Sequence, residues 1–137
     1  MTIDMDITTA QKLVKYITEQ ANEANFYREL ANIAPTEEEK KLLLDLSNDK
    51  KQQEMIFQAI YRDGIGRTYE PVLEPVNLNR PFRSLIQDQI LQEIKLYRNY
   101  DDEYIKENTN LRLKDAYQRA RTESNALALS LLYLLRR

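Results

Sequence analysis

The chain contains no cysteine and no histidine. Those absences remove the soft metal ligands and the usual proton shuttle, which excludes zinc sites, haem axial ligation, thiol catalysis and Ser-His or Cys-His pairs. Any metal would have to be held by carboxylates. The lack of cysteine also suits a reducing compartment. No apolar run is long enough to span a bilayer: the longest, Ala126 to Leu135, is interrupted by Ser130. The first ten residues, MTIDMDITTA, have neither the basic flank nor the apolar stretch of a signal peptide, so a soluble cytoplasmic protein is expected. There is no surplus of positive charge either. Twenty basic against twenty-two acidic side chains leave a formal charge of −2, which gives nucleic acid no electrostatic footprint.

Breakers are equally scarce, and their positions divide the chain. Only two Gly and four Pro occur among 137 residues, enough length for one ordinary domain with its own core. Leu13, Ile17, Gln20, Ala24, Tyr27 and Ala31 recur at steps of four and three, the stripe of a bundle helix over about 7–33. Pro35 interrupts, and Thr36 with Glu39 reads as a capping box. Leu43, Leu46, Lys50, Gln53, Phe57 and Ile60 then mark a second helix, about 36–63, ended by Gly64. Ile86, Ile90, Glu93, Tyr97, Tyr100 and Tyr104 give a third over about 82–107. Leu113, Ala116, Ala120, Glu123, Leu127, Ser130 and Leu134 give a fourth over about 110–136, with Asn108, Thr109 and Asn110 as the break.

Residues 64–81 hold Gly66, Pro71 and Pro75 and have no helical period. About seventeen residues extend to roughly 55 Å, more than the roughly 40 Å of a 26-residue helix, so this segment is long enough to cross a whole bundle. The expected fold is all-α: a four-helix bundle of two antiparallel hairpins joined by a long crossover between two parallel neighbours, in a single domain spanning 1–137.

One thirty-residue spacing occurs twice on these stripes. Gln20 and Tyr27 are followed by Lys50 and Gln53, and Glu93 and Tyr100 by Glu123 and Ala126, at identical intervals. A Glu, a Tyr seven residues on, and then Glu-x-x-His would be a di-metal signature in a four-helix protein. Only Glu93 and Glu123 keep the required chemistry.

The segments YITEQANEANFYRELANIAPTEEEKKLLLDLSNDKKQQEMIFQAIYRDG, SLIQDQILQEIKLYRNYDDEYI and AYQRARTESNALALSLLYLL resemble the hairpins of the ferritin-like superfamily, in particular rubrerythrin-type bundles. That resemblance implies two irons held by one Glu from each of helices one and three and a Glu-x-x-His from each of helices two and four. Carried over by position, Gln20, Lys50, Gln53 and Ala126 have replaced ligands and two of six remain. The resemblance therefore implies a degenerate site with no resident cofactor and no catalytic residue.

Two ionised carboxylates facing each other in a core need a counter-charge. Lys50 lies in the right stripe to supply it, and Lys50, Glu93, Glu123, Gln20, Gln53, Tyr27 and Tyr100 would then form a closed polar network. Plainer readings stand beside this one. Asp49-Lys50-Lys51 also reads as a wetted face, and Glu93 and Glu123 are solvated if the helix phase is off by one. Tyr97, Tyr100, Tyr104 and Tyr117 fit core packing better than radical chemistry. Asp101, Asp102 and Glu103 read as a solvated acidic face.

The expected function is a non-catalytic structural or protein-interaction module, a homo-oligomer (dimer) or the binder of an unidentified protein, with no nucleic acid and no membrane as partner. The arm Tyr69-Glu70-Pro71-Val72-Leu73-Glu74-Pro75 is either a plain crossover or a segment that lies on another subunit. The alternative function is a rubrerythrin-like non-haem metal oxidoreductase or iron-binding protein. Iron or another divalent metal would then sit at Glu93 and Glu123, helped by Glu19, Glu23 or Glu54.

Overall fold

A computed structural model describes residues 5–136. Four helices follow one another: α1 (Ile7–Ala31), α2 (Glu37–Ile65), α3 (Phe82–Lys106) and α4 (Leu111–Leu135), with no strand among the described residues. Each N-terminus except that of α3 is closed by a side chain. Asp6 accepts from the Thr9 amide, Thr36 from Glu39 and Asn110 from Leu113, which satisfies amides that a helix cannot pair internally.

The helix ends correct the expected bounds by one to two residues, and one correction has a clear cause. Gly64 does not end α2. The helix continues to Ile65, and Gly66, at φ 98°, is the left-handed residue whose amide closes on the Arg62 carbonyl. Gly64 lies inside the helix, where an added Cβ would stand 2.6 Å from the methyl carbon at the flexible end of Met5.

α1 pairs with α2 and α3 with α4 as antiparallel hairpins. The crossover 66–81 runs from the α2 end of the bundle to the α3 start at the other end. Gln58 holds the backbone amide and carbonyl of Tyr69, and Asn22 holds the Val72 carbonyl and the Glu74 amide. The arm therefore lies over its own first hairpin. One expectation changes here: α2 and α3 are parallel but sit across the bundle diagonal, with no Cα pair within 8 Å.

Two apolar cores fill the ends. One packs Leu13, Ile17, Phe57, Leu96 and Leu113 with Tyr16, Tyr100 and Tyr117, whose rings lie 5.0 to 6.5 Å from one another or from Phe57. The other packs Leu30, Leu43, Leu46, Ile86, Ile90, Leu127 and Leu131. Between α2 and α4, Ala116 and Ala120 let the backbones come close, whereas α1 and α3 stand apart and are bridged by long polar side chains. A polar belt thus separates the two cores.

Candidate functional site

The belt is centred on an ion pair. Lys50 on α2 sends its stem across the diagonal to Glu93 on α3, with Nζ 2.8 Å from Oε1 and neither side chain exposed. Glu93 Oε2 accepts a 2.5 Å hydrogen bond from the Tyr27 hydroxyl, which in turn accepts from Gln89 Nε2 at 3.3 Å. Gln89 also donates to Glu23 Oε2, and Gln92 donates to Glu23 Oε1 at 3.4 Å. The chain of bonds therefore runs from the centre of the bundle to a cleft of about 420 Å³ between α1, α3 and the arm, lined by Glu23, Phe26, Asn77 and Gln89 among others.

The remaining belt residues bond in separate pairs. Gln20 Nε2 donates to the Tyr100 hydroxyl at 2.6 Å, and Gln53 Nε2 donates to the Ala116 carbonyl at 3.3 Å. Gln20, Lys50, Gln53, Glu93, Tyr27 and Tyr100 are all buried. The wetted-face reading of Lys50 is thereby corrected, as is the solvated reading of Glu93.

Glu123 and Ala126 are placed differently from the expectation. Glu123 is only half-buried and has no ion pair with Lys50, and Ala126 is exposed on the outside of α4. Ser124 and Leu131 have zero exposure, so the inward stripe of this part of the helix runs 120, 124, 127, 131 rather than through Glu123 and Ser130. A similar turn in α3 buries Leu96 and leaves Tyr97 exposed.

Burial sets the electrostatics at the rim. It pushes Glu23 and Glu123 up to about 7 from an ordinary 4.5, against the opposing pull of the Lys50 charge. Glu19 is raised for the same reason. The hydroxyls of Tyr27 and Tyr100 are held well above their usual range, first by burial and then by nearby carboxylates, so both remain protonated. Buried oxygens of Glu19, Gln20, Glu123, Ser124 and Tyr117 have no hydrogen-bond partner among the described residues.

A second polar cluster was not anticipated. Glu103 is buried, accepting from the Tyr16 hydroxyl at 2.6 Å and from Lys12 Nζ at 3.1 Å, which overturns the reading of 101–103 as a uniformly solvated face. Asp101 pairs with Arg121, and Asp102 alone of the three is exposed. The available signal was positional: Tyr16 lies a turn before Gln20 and Glu103 a turn after Tyr100 on the same two faces.

This arrangement does not fit a pair of metal ions. Where cations would draw carboxylates together, an ammonium already sits on the one fully buried carboxylate, and Glu123 stands away at the rim. Among the described residues no group of three or more Asp or Glu is placed to hold a metal ion, and none of the four helices is long and apolar enough to cross a membrane. Within the belt Lys50 neutralises Glu93, and Tyr27 and Gln89 carry hydrogen bonds from that pair to Glu23. Compared with models of known protein families, with curated proteins and with solved structures, the chain finds no match.

Proposed function

We propose that the chain is a ferritin-like, rubrerythrin-type bundle that has lost its di-iron site and serves in the cytoplasm as a non-catalytic structural or protein-interaction module. The observation that carries this reading is the Lys50–Glu93 pair at 2.8 Å, a protein cation at the position where the resemblance calls for metal. A divalent ion there would meet like charge from Lys50 and would have to strip Glu93 of its partner. The module then acts through its surface, as a homodimer or with an unidentified protein, and needs no cofactor, nucleic acid or membrane.

Elemental analysis of protein purified without chelator, followed by aerobic ferrous titration, tests the reading. Far less than one equivalent of bound metal and no oxidation-linked absorbance are expected. Stoichiometric iron with such an absorbance would replace it by the iron-binding or oxidoreductase alternative.

A further inference from the structure

The level between the two cores takes one buried polar residue from each helix. Gln20 stands between Ile17 of one core and Tyr27 of the other, Lys50 between Phe57 and Leu46, Glu93 between Leu96 and Ile90, and Ser124 between Ala120 and Leu127. All four have at most 1 % of their surface exposed. Lys50 and Glu93 are joined across one diagonal of the bundle, which leaves Gln20 on α1 and Ser124 on α4 at the two ends of the other.

Much of the hydrogen-bonding capacity at this level is unspent. Lys50 has three N–H donors and uses one, on Glu93. Gln20 spends Nε2 on the Tyr100 hydroxyl at 2.6 Å, and its buried Oε1 has no partner among the described residues. Turning the amide over would only put Nε2 in place of Oε1. Ser124 is the clearest case. A hydroxyl inside a helix can donate to the carbonyl four residues back, as Thr18 does to Val14 at 2.8 Å and Ser130 to Ala126 at 3.1 Å. The fully buried Ser124 Oγ makes no such bond to Ala120, nor any other among the described residues. Their chain neighbours Glu19 and Glu123 each leave a buried carboxylate oxygen unpaired as well, so unpaired atoms gather at both ends of this diagonal.

Small side chains give the level room. Ala21 and Ala24 on α1 and Ala120 and Ser124 on α4 are buried here, whereas Leu13, Ile17 and Leu30 on α1 and Leu113, Leu127 and Leu131 on α4 fill the levels to either side. In addition, α1 and α3 approach nowhere within 8 Å between Cα atoms.

We infer that this level binds internal water, at least one molecule held by Lys50 Nζ, Gln20 Oε1 and Ser124 Oγ, which ties α4 to the Lys50–Glu93 pair. The chemistry selects the ligand. A cation would meet the ammonium of Lys50, an anion would meet the carboxylate of Glu93, and an apolar molecule would leave every unpaired atom as it is. Water is neutral, and one molecule can accept from Lys50 while donating to Gln20 and Ser124. Three hydrogen bonds to otherwise unsatisfied groups are what a buried water typically makes.

A crystal structure of the full chain should show ordered water within about 3.2 Å of Ser124 Oγ and of Gln20 or Lys50. In solution, oxygen-17 relaxation dispersion of the solvent counts waters held for longer than the protein takes to tumble. The wild type should hold at least one, and Gln20→Leu with Ser124→Val, which removes both acceptors and fills their space, should hold fewer. That comparison requires helical circular dichroism matching the wild type; if the double variant does not fold, the crystal density decides. Density in which Ser124 donates to the Ala120 carbonyl and no water reaches Gln20 or Lys50 would overturn the proposal. So would a wild type with no long-lived water, or a folded double variant that holds as many as the wild type.

Discussion

The ammonium of Lys50 lies 2.8 Å from Oε1 of Glu93 across the diagonal of the bundle, and neither side chain has any solvent exposure. Two such charges are stable there only as a pair. Removing either leaves the other desolvated without a counter-charge, a loss of about 3 to 5 kcal/mol, whereas replacing both by apolar groups is often neutral or stabilising.

The expected outcome is therefore non-additive. In urea unfolding, Lys50→Met and Glu93→Gln should each lower stability by about 3 kcal/mol or more, while the combination Lys50→Met with Glu93→Met should recover most of that loss. A Lys50→Met protein as stable as wild type would show that the pair does not hold the belt together.

Burial, together with the Lys50 charge, governs the pH response of the rim. Glu23 and Glu123 have folded values near 7, raised above the ordinary 4.5, so between those limits the folded chain binds more protons than the unfolded chain. Stability should consequently fall as pH rises through that window, by on the order of 2 kcal/mol per group. Denaturation midpoints from pH 5 to 8 should show this slope, and Glu23→Gln with Glu123→Gln should flatten it. A wild type whose stability rises across the window would contradict the assignment.

The inward stripes of α1 and α2 were legible, and Lys50, which its charged neighbours left open between interior and wetted face, lies on one of them because apolar positions on both sides of it fix the phase. In α4 they do not. Ala120, Leu127 and Leu134 fit a stripe through 123 and 130 as well as one through 124 and 131, and neither Glu nor Ser at the first pair is apolar enough to decide. Leu131, with zero exposure, was the residue that could have decided it. That single step moved Glu123 to the rim and Ala126 outside. The Tyr16–Glu103 bond was missed for another reason: Glu103 sits in the run Asp101-Asp102-Glu103, which reads as a solvated face, so its place one turn beyond Tyr100 on the inward side was overlooked.

Gly66 and Gly64 should respond oppositely to the same substitution. Gly66 holds φ 98°, a conformation that costs an L-residue about 1 kcal/mol or more, so Gly66→Ala should lower the melting temperature. Gly64 lies within α2, where alanine gains up to about 1 kcal/mol in helix propensity, set against the crowding of its new Cβ by Met5. Gly64→Ala should be close to neutral alone and stabilising once Met5→Ala has cleared the space. Equal losses at both glycines would mean that space, not backbone conformation, decides each position.

The arm is held by polar contacts along its middle and by Tyr69 and Leu78 packed on the two cores, and its middle is the part most easily separated from the bundle. Asn22 accepts from the Glu74 amide at 2.6 Å and donates to the Val72 carbonyl at 3.0 Å, while Gln58 engages both backbone groups of Tyr69. Each of these hydrogen bonds contributes about 1 kcal/mol. The buried core residues all belong to the four helices, with Tyr69 and Leu78 of the crossover packed at their edge, so release of the arm need not unfold the helices. Asn22→Ala with Gln58→Ala should then leave the helical circular dichroism intact while trypsin cleavage after Arg67 speeds up by at least tenfold, because local opening, rather than global unfolding, exposes that bond. If cleavage accelerated only in step with loss of helix, the arm and the bundle would be a single cooperative unit, and the crossover would be as much a part of the core as the helices it joins.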